Sequence, residues 1–157
     1  MPVDKTASHA SGRSGRSSDV SGNITLAWCS IAAGALTGLV LSLWSFKGPV
    51  PVPPEIGAYT DVSRRLLRLG HIAFFGLGML NIMLARHLSG AWYDSRRTRL
   101  ALVSMNFGNL FLPPTLIAAA FWLPLKYLAS LPAMAVTLAL LIAAHAALSD
   151  HFDGKRR

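Results

Sequence analysis

Four long stretches without Asp, Glu, Lys or Arg dominate this chain of 157 residues. An α-helix rises about 1.5 Å per residue and needs about 20 apolar residues to cross the hydrocarbon core of a bilayer. With 52% hydrophobic and 14% charged residues, the chain has more apolar surface than a soluble domain buries. Each stretch is therefore a candidate membrane span. The stretches occupy residues 24–44, 69–85, 100–125 and 127–149.

The short connections between the stretches indicate how the spans are arranged. Only Lys126 separates the third stretch from the fourth, and one continuous helix of that length would overrun the bilayer. A tight hairpin is expected there, with Pro124 and Pro132 beside its turn. The short second stretch spans the membrane if the flanking Arg68 and Arg86 extend their charged groups to the interfaces. The sequence thus predicts an all-α membrane protein, a four-transmembrane-helix bundle. The predicted spans are about 24–44, 68–88, 100–124 and 130–149.

The two ends of the chain are polar and flank a transmembrane domain of residues 23–150. Residues 1–22 are rich in Ser, Gly and Arg and have few apolar side chains, a composition that predicts a disordered N-terminal tail. Residues 151–157 form a short basic tail. With the amino terminus inside, ten Lys and Arg residues lie on the cytoplasmic side and five outside. Both termini are therefore expected in the cytoplasm, in an inner (plasma) membrane of bacterial type.

The net charge of +8 raises the question of what the basic residues bind. Nucleic acid is not the expected partner, because the basic residues flank apolar spans and no soluble domain is present to hold them. Anionic lipid at the cytoplasmic face is the better match for Lys and Arg beside membrane spans.

Small residues form a stripe in two of the predicted spans. In the first span, Gly34 and Gly38 lie one turn apart, which favours close helix packing, either across a dimer or within the bundle. In the fourth span, Ala139 and Ala143 belong to a similar stripe, from which His145 points about 140° away. Because an imidazole facing lipid is costly, His145 is predicted to face inward. The alanines would then contact another subunit or a second copy, or else face lipid.

Polar side chains inside the spans define a candidate intramembrane cluster. Asn81 lies in the second span and Asn106 and Asn109 lie one turn apart in the third, where they need hydrogen-bond partners away from lipid. His145 is predicted to join them, whereas His71 is a candidate polar residue near the outer side. The adjacent Pro113 and Pro114 predict a kink in the third span, which serves either packing or a ligand cavity.

Cofactor and catalytic sites have little support in the sequence. A membrane haem b with two histidine ligands needs both imidazoles at similar depth, but His71 and His145 fall near opposite faces and cannot share one iron. No cofactor is therefore predicted, and haem b stays an alternative. None of the four stretches contains an acidic residue, and no metal-ligand spacing or phosphate-binding glycine loop is present. The sequence predicts no enzyme and no metal site.

The functional expectation follows from many packing features and no complete reactive site. The sequence favours a small accessory or structural subunit of a larger membrane complex, assembled with other membrane subunits or as a homo-oligomer. One alternative is a small ligand-binding or transport bundle that uses the Asn81, Asn106, Asn109 and His145 region. A second alternative is a haem- or quinone-associated electron-transfer subunit.

Overall fold

The computed structural model describes residues 6–45, 48–54, 56–57, 61–89 and 95–154. These form the helices α1 (Thr6–Ser42), α2 (Val62–Ser89), α3 (Ser95–Phe121) and α4 (Ser130–Gly154), with a 3₁₀ turn at Leu123–Tyr127. Within the described ranges, four segments are long and apolar enough to cross a membrane, which confirms the predicted four-helix membrane bundle. These segments are Ser21–Ser42, Val62–Leu88, Arg96–Phe121 and Leu123–Ser149.

Each of the four membrane-spanning segments begins earlier in the chain than its predicted span. The second span begins at Val62 rather than at residue 68, so Arg64 and Arg68 lie in its first two turns. The backbone of α1 is helical from Thr6 onward, within the segment whose composition predicts disorder, although its apolar part begins at Ser21. Serine and glycine contribute little to helix stability, so the disordered tail over residues 1–22 stays a prediction; residues 1–5 lie outside the described residues.

The spans alternate in direction, so an even number of them leaves both chain ends on one side of the membrane. We call this side the terminal side. The opposite side, called the loop side, holds the connection after α1 and the 3₁₀ turn between α3 and α4. Lys126 is exposed in that turn, which lies where the hairpin was predicted. Which side faces the cytoplasm stays a prediction.

Glycines let the helices approach one another closely. Helices α1, α2 and α3 pack together, and α4 packs chiefly on α3. In each of the pairs α1/α2, α2/α3 and α3/α4, a Cβ added to one glycine would lie 3.0 Å from a backbone carbonyl oxygen of the facing helix. Contacts this short are typical of small residues at membrane helix interfaces. The glycine and carbonyl partners are Gly78 with Ala27, Gly70 with Pro113, and Gly108 with Pro132.

The apolar core runs through the terminal half of the bundle and is closed on the loop side by the connection after α1. Leu84 of α2, Met105 of α3 and Ala139 of α4 belong to one buried cluster. A second cluster forms where Ile56, from the connection, is buried against Leu67 and other residues of α1, α2 and α3. The connection therefore covers the loop-side end of the helices.

The orientation of α4 corrects one sequence prediction. Ala139 is fully buried and Ala143 half-buried within the chain's own bundle, so the prediction that these two alanines contact another subunit is wrong. The reason is the groove at Gly108 on α3, which receives Val136 of α4 and holds that face of the helix inward. His145 is exposed as a consequence.

Candidate functional site: an intramembrane asparagine ring

Three asparagines from three helices form a closed ring of hydrogen bonds, which we call the asparagine ring. Nδ2 of Asn23 donates to Oδ1 of Asn81 at 3.0 Å, and Nδ2 of Asn81 donates to Oδ1 of Asn106 at 2.9 Å. Nδ2 of Asn106 then donates to Oδ1 of Asn23 at 3.0 Å. Nδ2 of Asn23 also donates to the carbonyl oxygen of Leu102 at 3.3 Å. Each amide in the ring thus uses both its oxygen and its nitrogen.

The helix faces explain why these amides meet. On α1, Asn23 heads a stripe that continues through Ala27, Ser30 and Gly34 at helical spacing, and all four residues are buried. Asn81 is fully buried on α2, and Asn106 is half-buried on α3. An amide that faced lipid would lose its hydrogen bonds, so the ring fixes the rotation of α1, α2 and α3 relative to one another.

Asn109 belongs to a second polar contact, one turn from the ring toward the loop side. Oγ of Ser30 lies 2.9 Å from the carbonyl oxygen of Phe74 and 2.8 Å from Oδ1 of Asn109. One hydroxyl proton cannot serve two acceptors, and Nδ2 of Asn109 is buried without a partner. If the amide is turned by 180°, Nδ2 donates to Ser30 and Ser30 donates to Phe74. That orientation satisfies both contacts.

His71 lies at a third level, nearer the loop side. Its Nδ1 is 2.9 Å from the carbonyl oxygen of Gly34, and its ring occupies the space that a side chain at Gly38 would fill. The ring of Phe75 meets the imidazole edge to face, with 5.3 Å between ring centroids. Gly34 and Gly38 therefore pack against α2 of the same chain, which is the within-bundle alternative for this stripe.

The predicted cluster is only partly assembled. Asn81 and Asn106 are bonded to each other, but Asn109 pairs with Ser30 instead. The prediction that His145 faces inward and joins these residues is wrong, because its side chain is exposed on α4.

The prolines at 113 and 114 lie inside a continuous α3, so the carbonyls of Asn109 and Leu110 have no proline N–H to bond.

Sequence reasoning missed Asn23 and Ser30 as members of these contacts. Asn23 stands at the border of the polar tail, one residue before the predicted first span at 24–44. The small-residue stripe of α1 could have identified Asn23. When this stripe is extended from Gly34 back through Ser30 and Ala27 at helical spacing, the next position is Asn23. The stripe thus carries polar partners as well as packing contacts.

Comparison of the chain with protein families, curated proteins and solved structures finds no match. Within the part of the chain that the structure describes, no group of three or more His, Cys, Asp or Glu side chains could hold a metal ion. The interhelical polar contacts described above are made instead by amides, the hydroxyl of Ser30 and the imidazole of His71.

Proposed function

We propose that this small integral membrane protein is an accessory or structural subunit of a larger membrane complex. The observation that carries the proposal is the exposed imidazole of His145 within the apolar fourth span. His145 lies four residues before the end of the span at Ser149, a depth of about 6 Å. An imidazole that faces hydrocarbon at this depth is costly, and a neighbouring protein that bonds it removes the cost.

His145 belongs to a continuous surface, which we call the α4 outer face. This face consists of side chains at helical spacing that are all exposed: Leu138, Leu141, His145 and Leu148. Because α4 packs chiefly on α3, its outer face is open to a second membrane protein. In this contact, a helix of the partner would pack on the leucines and form one hydrogen bond with His145. Membrane helix interfaces commonly combine such packing with a polar contact.

The asparagine ring weighs against the ligand-binding or transport alternative. A ligand site needs polar groups that can exchange their partners for the ligand. Each ring amide instead has its oxygen and its nitrogen bonded to another ring member. Opening the ring for a ligand would break interhelical bonds worth about 0.6–2 kcal/mol each. The ring therefore supports a structural role for the interior.

Affinity purification in mild detergent tests the proposal. The tagged chain is expected to retain a second membrane protein, or further copies of itself, at a fixed ratio through two purification steps. Leu141→Trp, beside His145, should reduce the retained partner several-fold because the larger side chain prevents close helix contact. Met79→Trp is the matched control on α2, since Met79 is 60% exposed and Leu141 63% exposed. Recovery of a lone monomer, or equal retention by both variants, would contradict the proposal.

A further inference from the structure

Exposed side chains of α4 follow a seven-residue repeat. They succeed one another at alternating steps of three and four residues, which is the spacing of the a and d positions of a coiled coil. The repeat contains the α4 outer face and extends it at both ends, so that it runs for about 32 Å, close to the hydrocarbon thickness of a bilayer. All its members are exposed, and we call them the α4 seam: Leu131, Met134, Leu138, Leu141, His145, Leu148 and Phe152.

The buried side of α4 follows the same repeat. With Leu131 at an a position, the b positions of successive heptads are Pro132, Ala139 and Ala146, and all three are buried. Val136, at an f position, fills the space at Gly108 on α3. The a and d positions therefore point away from α3 along the whole helix. One face of α4 packs within the chain's own bundle, and the opposite face presents the heptad repeat to the membrane.

We infer that the α4 seam pairs in parallel with the α4 seam of a second copy of this chain. A coiled-coil seam needs a partner with the same repeat at the same depth, because each seam side chain fits between four residues of the facing helix. Copies of one chain insert with the same orientation, since the same charges set it. Each seam residue would then meet its own counterpart across a closed twofold contact. The inference names the partner of the α4 outer face and rests on the proposed function.

His145 is the observation that favours a second copy over another protein. It occupies an a position of the α4 seam, so the two imidazoles of a parallel pair meet at the same depth. A neutral imidazole has one N–H and one unprotonated nitrogen, so one ring donates to the other and no third polar group is needed. A slip by one heptad would place each imidazole against Leu138 or Phe152 and lose this bond. A single polar a position fixes register in this way.

Small side chains beside the seam permit the two helices to approach closely. Thr137 and Ala144 occupy successive g positions and are exposed. The hydroxyl of Thr137 donates to the carbonyl oxygen of Ala133 on its own helix at 3.0 Å, so it brings no unsatisfied donor into the contact. Close approach along a seam of this period gives the left-handed crossing that is common among membrane helices.

Disulfide trapping in membranes tests the pairing. Cys29 is exposed on α1 and is first replaced by alanine. Leu138→Cys and Leu141→Cys then place single thiols in the α4 seam, whereas Leu140→Cys and Ala147→Cys place them on exposed positions about 120–140° from the centre of the seam. After oxidation, the seam variants should give several-fold more disulfide-linked dimer than the two controls. Equal dimer yields at seam and control positions, or no dimer at either, would overturn the inference.

Substitution of His145 tests the bond between the two copies. Energy transfer between labelled copies in lipid vesicles measures their association. His145→Leu should lower the association constant about 3- to 30-fold, the loss expected for one interhelical hydrogen bond. His145→Asn keeps a donor and an acceptor and should restore most of the association. An unchanged association constant in His145→Leu would overturn the inference.

The affinity purification described above separates failure of this inference from failure of the proposed function. Retention of a different membrane protein, without disulfide-linked dimers at the α4 seam, would overturn the pairing of two copies and leave the accessory role standing. A lone monomer after purification, together with no dimer in membranes, would contradict both. Retained further copies with dimers confined to the seam positions would support both.

Discussion

A leucine at position 78 is expected to destabilise the bundle strongly, whereas the same change at Gly76 is expected to have little effect. A Cβ at Gly78 would lie 2.7 Å from Cγ1 of Ile31 and 3.0 Å from the carbonyl oxygen of Ala27. The side chain of Ile31 can move, but the backbone of α1 cannot without separating the two helices. Overpacking of a close contact typically costs about 1–3 kcal/mol, and the cost rises when backbone must shift.

Gly76 makes this comparison unusually direct, because it lies on the same helix and its added Cβ would meet nothing within 4 Å. Both variants lose one glycine and gain one leucine, so they differ only in what the new side chain contacts. Thermal unfolding in detergent, followed by circular dichroism, measures the difference. Equal melting temperatures for the Gly78→Leu and Gly76→Leu variants would mean that α1 and α2 do not approach as described.

The second large effect is expected from breaking the asparagine ring. Asn81→Leu removes a member that both donates and accepts, and it leaves Oδ1 of Asn106 and one N–H of Asn23 without their ring partners. An interhelical hydrogen bond in a membrane is worth about 0.6–2 kcal/mol. The single variant loses two such bonds, so its melting temperature should fall clearly below that of the unaltered protein.

The ring also predicts non-additive behaviour. Replacing one member orphans the others, but replacing Asn23, Asn81 and Asn106 together with leucine removes every ring amide at once. The triple variant should therefore lose less stability than the sum of the three single variants. Additive losses would show that the three side chains act separately, and the closed ring would not describe them.

The span number and the hairpin could be predicted because charge decides both. Charged groups are excluded from the hydrocarbon core, so the uncharged stretches show where the chain crosses, and Lys126 with its flanking prolines shows where it turns. The contact between Asn81 and Asn106 could also be predicted, because amides in a membrane interior need hydrogen-bond partners. These features depend on local chemistry that single residues carry.

The rotation of α4 could not be predicted, because two plausible forces act on opposite faces. Burial of His145 and burial of the alanine stripe are both favourable, and the helical periodicity does not show which of these two rotations of α4 is more stable. The deciding contact is the fit of Val136 into the space at Gly108, a property of two helix surfaces together. Shape complementarity of this kind is not encoded in the periodicity of either helix. The pairing of Asn109 with Ser30 could not be predicted for a similar reason, because that contact depends on how α1 packs against α3.

Site-directed photocrosslinking in intact membranes tests the accessory role most directly. A photoreactive benzoyl-phenylalanine is placed at position 141 on the α4 outer face, or at position 79 on the exposed face of α2 as the matched control. Position 141 is expected to yield one discrete adduct, with a second copy or another membrane protein, and position 79 is expected to crosslink only to lipid. Adducts at both positions alike, or no protein adduct at position 141, would contradict the account.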